Sequence, residues 1–540
     1  MKPNSPRTPS ILDVSTPADL ARTMGIFLFA ALAGSALLPG RADAQEPGPR
    51  LIDLNLERMV ELSLSSSYEV RRLNLEIQRD QYSLKAQQAR LKSSVDMDLT
   101  IPAFSLTSEP KWNSDLQKNE IIQENTRMWE GEISVRQPII FFGYPTNGYL
   151  SFNNRMYRYN QINDDGVSEV DYYNRYYLRY TQPLFQPNGL KNDLEQAELN
   201  LEGTQLEFYG DVVDIVDNVS EDYFDLFEAH YRRTINRALV GNLERALAIA
   251  QDLARQDSTR AIDADQIQVD LANARERLQS SESSIRLEAA SVKRSLGLSD
   301  ADSIALDPVF FLDPVAIDMD EAVRLAMELT PRMRQLDISL RNSEISLEET
   351  KSRGGFRMDV SLSYGRERRD DAFDRLWVHP DNSYTVNVEA YVPLWDWGER
   401  DARIAASRIR IDQTRLRIEE AELQIVSSVR NEVLNVRDRE DRTMAMRDNL
   451  DLAGGVSETS FQRYAAGSIT ATDLMLSLRR EADTAENFLQ AYLGWRESLR
   501  QLQQLTYWDF ERQMPVLERF GVEARLSTNG VTDLRPDGPH

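Results

Sequence analysis

The sequence predicts an α+β membrane protein in which a long antiparallel α-helical barrel joins a transmembrane β-barrel built from a trimer. Three observations predict this fold: strands with alternating apolar and polar residues, very long amphipathic helices, and two internal structural repeats per chain. The composition agrees, because 28% of the residues are charged and 41% are hydrophobic. Such a balance suits long helices with narrow apolar seams better than one large globule.

The segment Tyr384–Gly467 shows a strand pattern followed directly by a helix pattern. Its first nine residues alternate, with an apolar row of Val386, Val388, Ala390 and Val392. From Arg400 the apolar residues recur at three and four positions, without proline as far as Gly467. A helix of that length is about 100 Å long. We therefore expect a membrane-barrel strand that leads into a helix projecting far from the membrane.

An internal repeat explains the length of the chain. A constant shift superposes Val60 on Val323 and then, in the same strand register, Leu99 on Leu362. A smaller shift superposes Pro183 on Pro393, so the first copy carries an insertion within 111–171. We interpret the insertion as an extra hairpin in the loop between two barrel strands. An extra pair of wall strands is the alternative.

The repeat divides the chain into five segments. An apolar run and the small-x-small site Ala42–Ala44 predict a signal peptide over 1–44, with an anchoring helix as the alternative. The first repeat, 45–297, holds a helix, a strand, the inserted loop hairpin, a strand, a long helix and a return helix. The linker 298–316 belongs to an equatorial belt, and the second repeat covers 317–505. The remainder, 506–540, is a C-terminal equatorial segment and a disordered tail.

Charge and rare residues exclude several functions. A net charge of −24 argues against nucleic acid as a partner. The absence of cysteine and the presence of only three histidines make a metal or acid–base centre improbable on composition. We predict no catalytic, cofactor-binding or metal-binding residues, no cofactor and no enzymatic activity.

Four amphipathic strands per chain are too few for a barrel, since small barrels need about eight. Identical chains are the simplest completion, and three of them give twelve strands and twelve helix columns. Aromatic residues lie where the strands end, and we predict that they contact outer-membrane lipid at the membrane interface: Trp395, Trp397, Tyr176 and Tyr177. Core packing is the alternative for these aromatics.

Several motifs in order resemble one known family. They are the duplicated helix start, the strand ends and the tip of the second helical hairpin: Leu56–Arg71, Met319–Arg334, Gln182–Phe185, Val392–Trp395 and Tyr464–Ser468. On these motifs the chain resembles the outer-membrane efflux protein family (TolC-like). The resemblance implies a homotrimer in the cell outer membrane that extends into the periplasm. It also implies a periplasmic adaptor (membrane-fusion) protein and an inner-membrane pump as partners, and no catalysis.

The resemblance implies a gate at the periplasmic tip. Related proteins narrow the tunnel with acidic residues on the returning helix, and Asp473 fits one such position. The equivalent turn of the first copy carries Asp263 and Asp265. Helix capping is the alternative for these acids, since they lie near helix starts.

The tip also departs from the family pattern. Leu476 stands one turn beyond Asp473, and Ile469 stands where a basic latch residue is expected. Arg463 and Arg255, at matching places before the two turns, are candidates for holding the closed tip. Solvated surface charge is the alternative for both arginines.

The resulting functional prediction is an outer-membrane exit duct of a tripartite efflux or type I secretion system. It passes substrates passively from periplasmic pump partners to the exterior. A periplasmic coiled-coil adaptor or envelope scaffold without a pore is the alternative. The sequence does not distinguish small-molecule efflux from protein secretion.

Overall fold

The structure, a computed structural model, describes residues 51–520 apart from 67, 114–116, 143, 163–167, 258–260 and 307. The predicted signal peptide and the part of the predicted tail beyond residue 520 lie outside the described residues. The described chain combines a six-stranded antiparallel sheet with long helices and two small two-stranded sheets.

Two very long helices set the height of the molecule. In chain order the helices are α1 (Leu56–Ser66), α2 (Tyr68–Ala89), α3 (Gly189–Gln256), α4 (Ala261–Ser295), α5 (Met319–Leu329), α6 (Pro331–Arg353), α7 (Glu399–Ala465), α8 (Ala471–Thr506) and α9 (Val516–Arg519). Helix α3 has 68 residues and α7 has 67, so each is about 100 Å long. Helices α2 and α4 pack along α3, and α6 and α8 pack along α7. No helix in the described part of the chain is both long enough and apolar enough to cross a membrane.

The shorter helices are broken where the sequence analysis expected one continuous helix. The single helix predicted at the start of the first repeat is divided into α1 and α2. In the second copy α5 ends at Leu329 because Pro331, at the start of α6, cannot donate a backbone N–H to the preceding turn. The break therefore has an identifiable cause in the second copy.

The large sheet is a meander in chain order. Its strands are β2 (Ser94–Asn113), β3 (Lys118–Phe141), β4 (Tyr144–Ile162), β5 (Ser168–Leu184), β7 (Arg357–Asp370) and β8 (Asp381–Tyr391). The small sheets pair β1 (Leu51–Asp53) with β6 (Ser303–Ala305) and β9 (Trp508–Asp509) with β10 (Met514–Pro515). Strands β2 and β8 each have a neighbour on one side only, so both edges of the large sheet are open.

The insertion in the first copy is part of the sheet wall. Strand β3 pairs with β2 from Ser94 to Asn113, and β4 pairs with β3 and β5 along its length. The insertion therefore forms two paired strands of the large sheet, as the alternative of an extra pair of strands predicts, and its place in a barrel wall stays a prediction. Each chain contributes six strands rather than four.

The two faces of the sheet differ in polarity. One row of directly paired residues crosses all six strands and is almost entirely apolar: Val95, Val135, Phe152, Leu178, Tyr364 and Tyr384. The neighbouring row, on the opposite face, is mostly polar: Asp96, Ser134, Asn153, Tyr177, Gly365 and Ser383. Because successive side chains of a strand alternate between faces, one face is apolar near the helices and carries Arg158 and Arg366 farther from them, whereas the other face is mostly polar.

The main core lies at mid-height, where the linker between the repeats crosses the helices. Phe227 of α3 and Trp495 of α8 are fully buried there. Phe310 of the linker packs edge-on against Phe227, with ring centroids 5.2 Å apart, and against Tyr492 at 4.7 Å. This aromatic cluster anchors the linker to the long helices.

We predict that Gly365→Ala in β7 disrupts the sheet. A Cβ atom at Gly365 would lie 2.2 Å from the Tyr176 carbonyl oxygen and 2.4 Å from the Tyr177 Cβ, so β5 and β7 would have to separate. The expected result is a lower dissociation temperature of the assembled protein in detergent, measured by gel mobility after graded heating. The control is Gly131→Ala in β3, whose Cβ would meet only the Leu99 side chain, at 3.3 Å. Equal dissociation temperatures of the two variants would contradict the close pairing of β5 with β7 at Gly365.

Candidate functional site

The helical tips are closed by tight turns and a small core. At the second tip Gly467 adopts φ of +70°, a left-handed conformation that glycine adopts readily. The Ser468 N–H donates to the Arg463 carbonyl at 2.8 Å, and the Gly467 N–H donates to the Tyr464 carbonyl at 2.9 Å. These bonds satisfy carbonyls at the end of α7 and reverse the chain within a few residues.

Asp473 forms a capping box at the start of α8. Its carboxylate accepts the Thr470 backbone N–H at 3.1 Å and the Thr470 hydroxyl at 2.7 Å. The Asp473 N–H donates in turn to the Thr470 hydroxyl at 3.2 Å. The hydrogen bond from the Thr470 side chain lowers the pKa of Asp473 below its ordinary value. The capping role is therefore observed, the carboxylate is held charged at the tip, and the gate role stays a prediction.

The other predicted tip residues are spread around the turns. Asp263 is half-buried in the first turn of α4, and Asp265 is exposed just beyond it. Arg255 forms an ion pair with Asp252 of its own helix at 3.2 Å rather than with the gate candidates. Arg463 is exposed, and its carbonyl takes part in the turn. Both latch roles stay predictions.

The sequence analysis missed the ion pairs that join the two helical hairpins near the tips. Arg479 of α8 pairs with Asp270 of α4. Arg245 of α3 pairs with Glu458 of α7 at 2.8 Å, and its guanidinium lies 3.8 Å from the centre of the Phe461 ring. The partners are more than 200 residues apart, at separations of 209 and 213, so no local sequence pattern indicates them.

An acidic stripe runs along α3 between mid-height and the sheet. Its members recur at three or four residues and so share one face: Asp211, Asp214, Asp217, Glu221 and Asp225. Arg500 donates to the Asp217 carboxylate at 2.7 Å, and Gln504 donates to Asp214 at 2.7 Å. Partial burial of the carboxyl, together with repulsion by Glu288 and Glu221, raises the pKa of Asp225 to about 6.

Exposed aromatic rings gather at one end of the sheet. Trp395 and Trp397 follow β8, are 75% and 90% exposed, and contact each other edge-on with centroids 5.4 Å apart. Other exposed rings lie at the same end, where β3 and β5 finish and β4 and β7 begin: Phe141, Phe142, Tyr144, Phe185 and Phe356. This arrangement is typical of the aromatic belt at a membrane interface. The sequence analysis missed the second group because its members lie outside the alternating segments.

Tyr176 and Tyr177 lie on opposite faces of the sheet. Tyr176 belongs to the apolar face, whereas Tyr177 is only 8% exposed on the polar face. The Tyr177 ring lies between the guanidinium groups of Arg175 and Arg179, at 4.8 and 4.9 Å. Adjacent residues of a strand face opposite sides, so the two tyrosines lie in different surroundings, and the interface role of both stays a prediction.

The described part of the chain combines a two-faced sheet with long helices. In the described part of the chain no group of His, Asp and Glu side chains could hold a metal ion. An antiparallel sheet of amphipathic strands together with long helices is the architecture expected of an outer-membrane channel protomer.

Comparison with known proteins supports that class. Residues 323–506 match the family described as outer membrane efflux protein. The resemblance predicted from the motifs is therefore confirmed, and so is the predicted location in the outer membrane with an extension into the periplasm. The matched family consists of transport channels and not of enzymes.

Solved structures share the fold of the chain. CusC, described as a transmembrane channel, is 14% identical with a TM-score of 0.59 over 86% of this chain and 95% of its own. The CmeC outer membrane channel of Campylobacter jejuni is 10% identical with a TM-score of 0.61 over 87% and 88%. VceC, an outer membrane protein of Vibrio cholerae, is 11% identical with a TM-score of 0.60 over 84% and 96%. No curated protein matches the sequence.

We predict that Asp473→Asn changes the ion preference of the reconstituted protein without changing its fold. Asparagine keeps an oxygen for the cap but removes the charge, so the preference for cations and the block by Mg²⁺ should both decrease. Single-channel recording in a KCl gradient measures both effects. The control is Asp252→Asn, which removes an exposed tip charge on α3. Unchanged selectivity in Asp473→Asn would place this residue outside the constriction.

We predict that Asp225 makes stability depend on pH. A carboxyl whose pKa is raised in the folded state binds a proton more tightly when folded, so stability falls as the pH rises from about 4 to about 6. Asp225→Asn should remove that dependence and raise the dissociation temperature at pH 7.5. Melting profiles of both proteins from pH 4 to pH 8 provide the measurement. If the dissociation temperatures of the two proteins changed with pH in the same way, ionisation of Asp225 would not contribute to the pH dependence of stability.

Proposed function

We propose that this chain is one protomer of a homotrimeric outer-membrane exit duct. It receives substrates from an inner-membrane pump through a periplasmic adaptor protein, in a tripartite efflux or type I secretion system. The apolar face of the large sheet contacts lipid, and the polar face lines the pore. In this proposal the duct itself is passive, and the pump supplies the energy for transport.

The observation that carries the proposal is the open, two-faced sheet. Six strands are too few to close on themselves, and an edge left open in lipid has unpaired backbone groups. Since the number of strands is even and all neighbours are antiparallel, β8 of one chain lies antiparallel to β2 of the next. Identical chains can therefore continue the sheet into a ring.

Three copies give an eighteen-stranded barrel above twelve helix columns. Barrel diameter grows roughly linearly with strand number, so this barrel is about 1.5 times as wide as a twelve-stranded one. Barrels of 16–18 strands leave an aqueous channel between their inward side chains. The exit is therefore wide enough that the barrel does not by itself favour small molecules over polypeptides.

The alternative of an envelope scaffold without a pore fits the sheet poorly. In a periplasmic scaffold the apolar face would be exposed to water, with Val95, Leu178 and Tyr364 among its 48–68% exposed residues. The open edges of β2 and β8 would also favour aggregation. In the proposed barrel, lipid covers the apolar face and neighbouring chains pair with the open edges.

The proposal predicts a trimeric, heat-modifiable protein with large conductance. Native mass spectrometry in detergent and planar-bilayer recording measure the two properties. Deletion of 118–162 removes β3 and β4 and lets β2 pair with β5, which gives twelve strands. Because pore area scales with the square of the diameter, we expect the conductance to fall by about half.

A cross-linking variant tests the wall without a deletion. The chain contains no cysteine, so the pair Ser134→Cys and Asn153→Cys is free of background. Oxidative cross-linking within one chain is expected if β3 and β4 are neighbours in the barrel. A purified monomer that stays soluble without detergent would contradict the proposed function.

A further inference from the structure

One row of the polar face consists only of hydrogen-bond donors. Directly paired residues cross all six strands in the order Ser94, Arg136, Ser151, Arg179, Ser363 and Thr385. We call this set the donor row. It contains two guanidinium groups, four hydroxyl groups and no carboxylate, which is unexpected in a chain with a net charge of −24.

Aromatic rings support both arginines of the donor row. The Arg136 guanidinium lies 5.1 Å from the centre of the Tyr149 ring, and the Arg179 guanidinium lies 4.9 Å from that of Tyr177. Such cation–π contacts restrain a guanidinium without using its N–H donors. Among the described residues neither arginine forms an ion pair, and Arg136 is exposed. Their donors therefore remain available.

Two arginines on the same face, farther from the long helices, form ion pairs with carboxylates. Arg155 pairs with Glu130, and Arg175 pairs with Glu367 at 3.5 Å. These two arginines also lie in a row that contains Asp98, Glu132, Glu367 and Asp381. Positive charge without a carboxylate partner is thus confined to the donor row on this part of the face.

The rows on either side define the limits of the positive region. The row above contains one acid, Asp96, which accepts a hydrogen bond from the Ser94 hydroxyl at 3.3 Å. The row on the side nearer the long helices consists of Tyr149, Thr181, Ser361 and Asn387, and none of these side chains is charged. Asp359 and Glu389 follow in the next row toward the end of the sheet. The donor row is therefore a narrow positive band between two acidic regions.

We propose that the donor row is an anion-binding band on the inner wall of the barrel, which takes the carboxylate, sulfate or phosphate groups of passing solutes. The inference rests on the proposed function, in which the polar face lines the lumen and three copies bring six such arginines into one ring. Guanidinium groups bind oxyanions with two parallel hydrogen bonds. The Ser363 and Thr385 hydroxyls supply further donors in the same row.

The size of the effect follows from the width of the pore. Exposed charges act over about 8–10 Å at physiological salt, which is less than the radius expected for eighteen strands. The band therefore attracts anions near the wall and does not block cations at the centre. A change of about two- to threefold in relative anion permeability is expected on its removal.

The test compares two double variants of the full-length protein. Arg136→Gln with Arg179→Gln removes the charges of the band. The matched control, Arg158→Gln with Arg366→Gln, removes the same number of charges from β4 and β7 on the apolar face. Reversal potentials in a KCl gradient give the Cl⁻ to K⁺ permeability ratio, and inorganic tripolyphosphate on the exit side probes block.

The expected result is a two- to threefold lower permeability ratio and loss of tripolyphosphate block in the first variant, with no change in the control. A further variant, Arg136→Lys with Arg179→Lys, should keep most of the anion preference. It shows whether the lower anion preference of the Gln variant results from the loss of positive charge. An unchanged ratio in a conducting, trimeric Gln variant would overturn the anion band and leave the duct intact. Wild-type protein that forms no channels would overturn the proposed function and the band with it.

Discussion

The structure depends on the need to pair the backbone at the two edges of the large sheet. In hydrocarbon an unpaired N–H or C=O group costs several kcal/mol, and no water replaces the missing partner. Strands β2 and β8 present such groups along their outer sides. A single chain cannot satisfy them, because six strands are too few for a closed barrel. In the proposed ring of copies, each chain pairs with the open edges of its neighbours.

The period of two along each strand decides the chemistry of the pore. In the proposed barrel, a shift of one residue in the pairing would exchange the two faces and place Arg136 and Arg179 on the lipid side. Several features hold the register: the close approach at Gly365, the tyrosine between Arg175 and Arg179, and the exposed aromatic rings at one end. The same contacts that stabilise the wall thus determine which side chains meet the solute.

The sequence predicts the periodic parts of this protein well and its long-range contacts poorly. The long helix of the second copy was expected from Arg400 to the tip near Gly467, and α7 covers Glu399–Ala465, because an apolar seam and the absence of proline are local signals. The role of β3 and β4 was not decided, since their alternation is weak and many of their residues are aromatic or polar on both faces. The opposite orientation of Tyr176 and Tyr177 follows from strand parity, whereas the contacts of Tyr177 with Arg175 and Arg179 depend on the folded strand. The ion pair of Arg245 with Glu458 could not be predicted from the sequence, because the two residues are 213 positions apart and meet only in the folded chain.

Charge is distributed unevenly along the path from the tip to the exit. The helices carry most of the acidity, with Asp473 at the tip and the stripe from Asp211 to Asp225 farther up. The donor row lies beyond them, at the near end of the strands. In the proposed duct a solute passes Asp473 at the tip before it reaches the donor row, so a solute with groups of both signs finds partners in both regions. Neither positively nor negatively charged solutes are favoured along the whole proposed path. A solute that is attracted in one region is therefore not attracted in the next. Such alternation lets a passive duct admit solutes of different charge without holding any of them tightly, and selection is then a matter for the partners that load it.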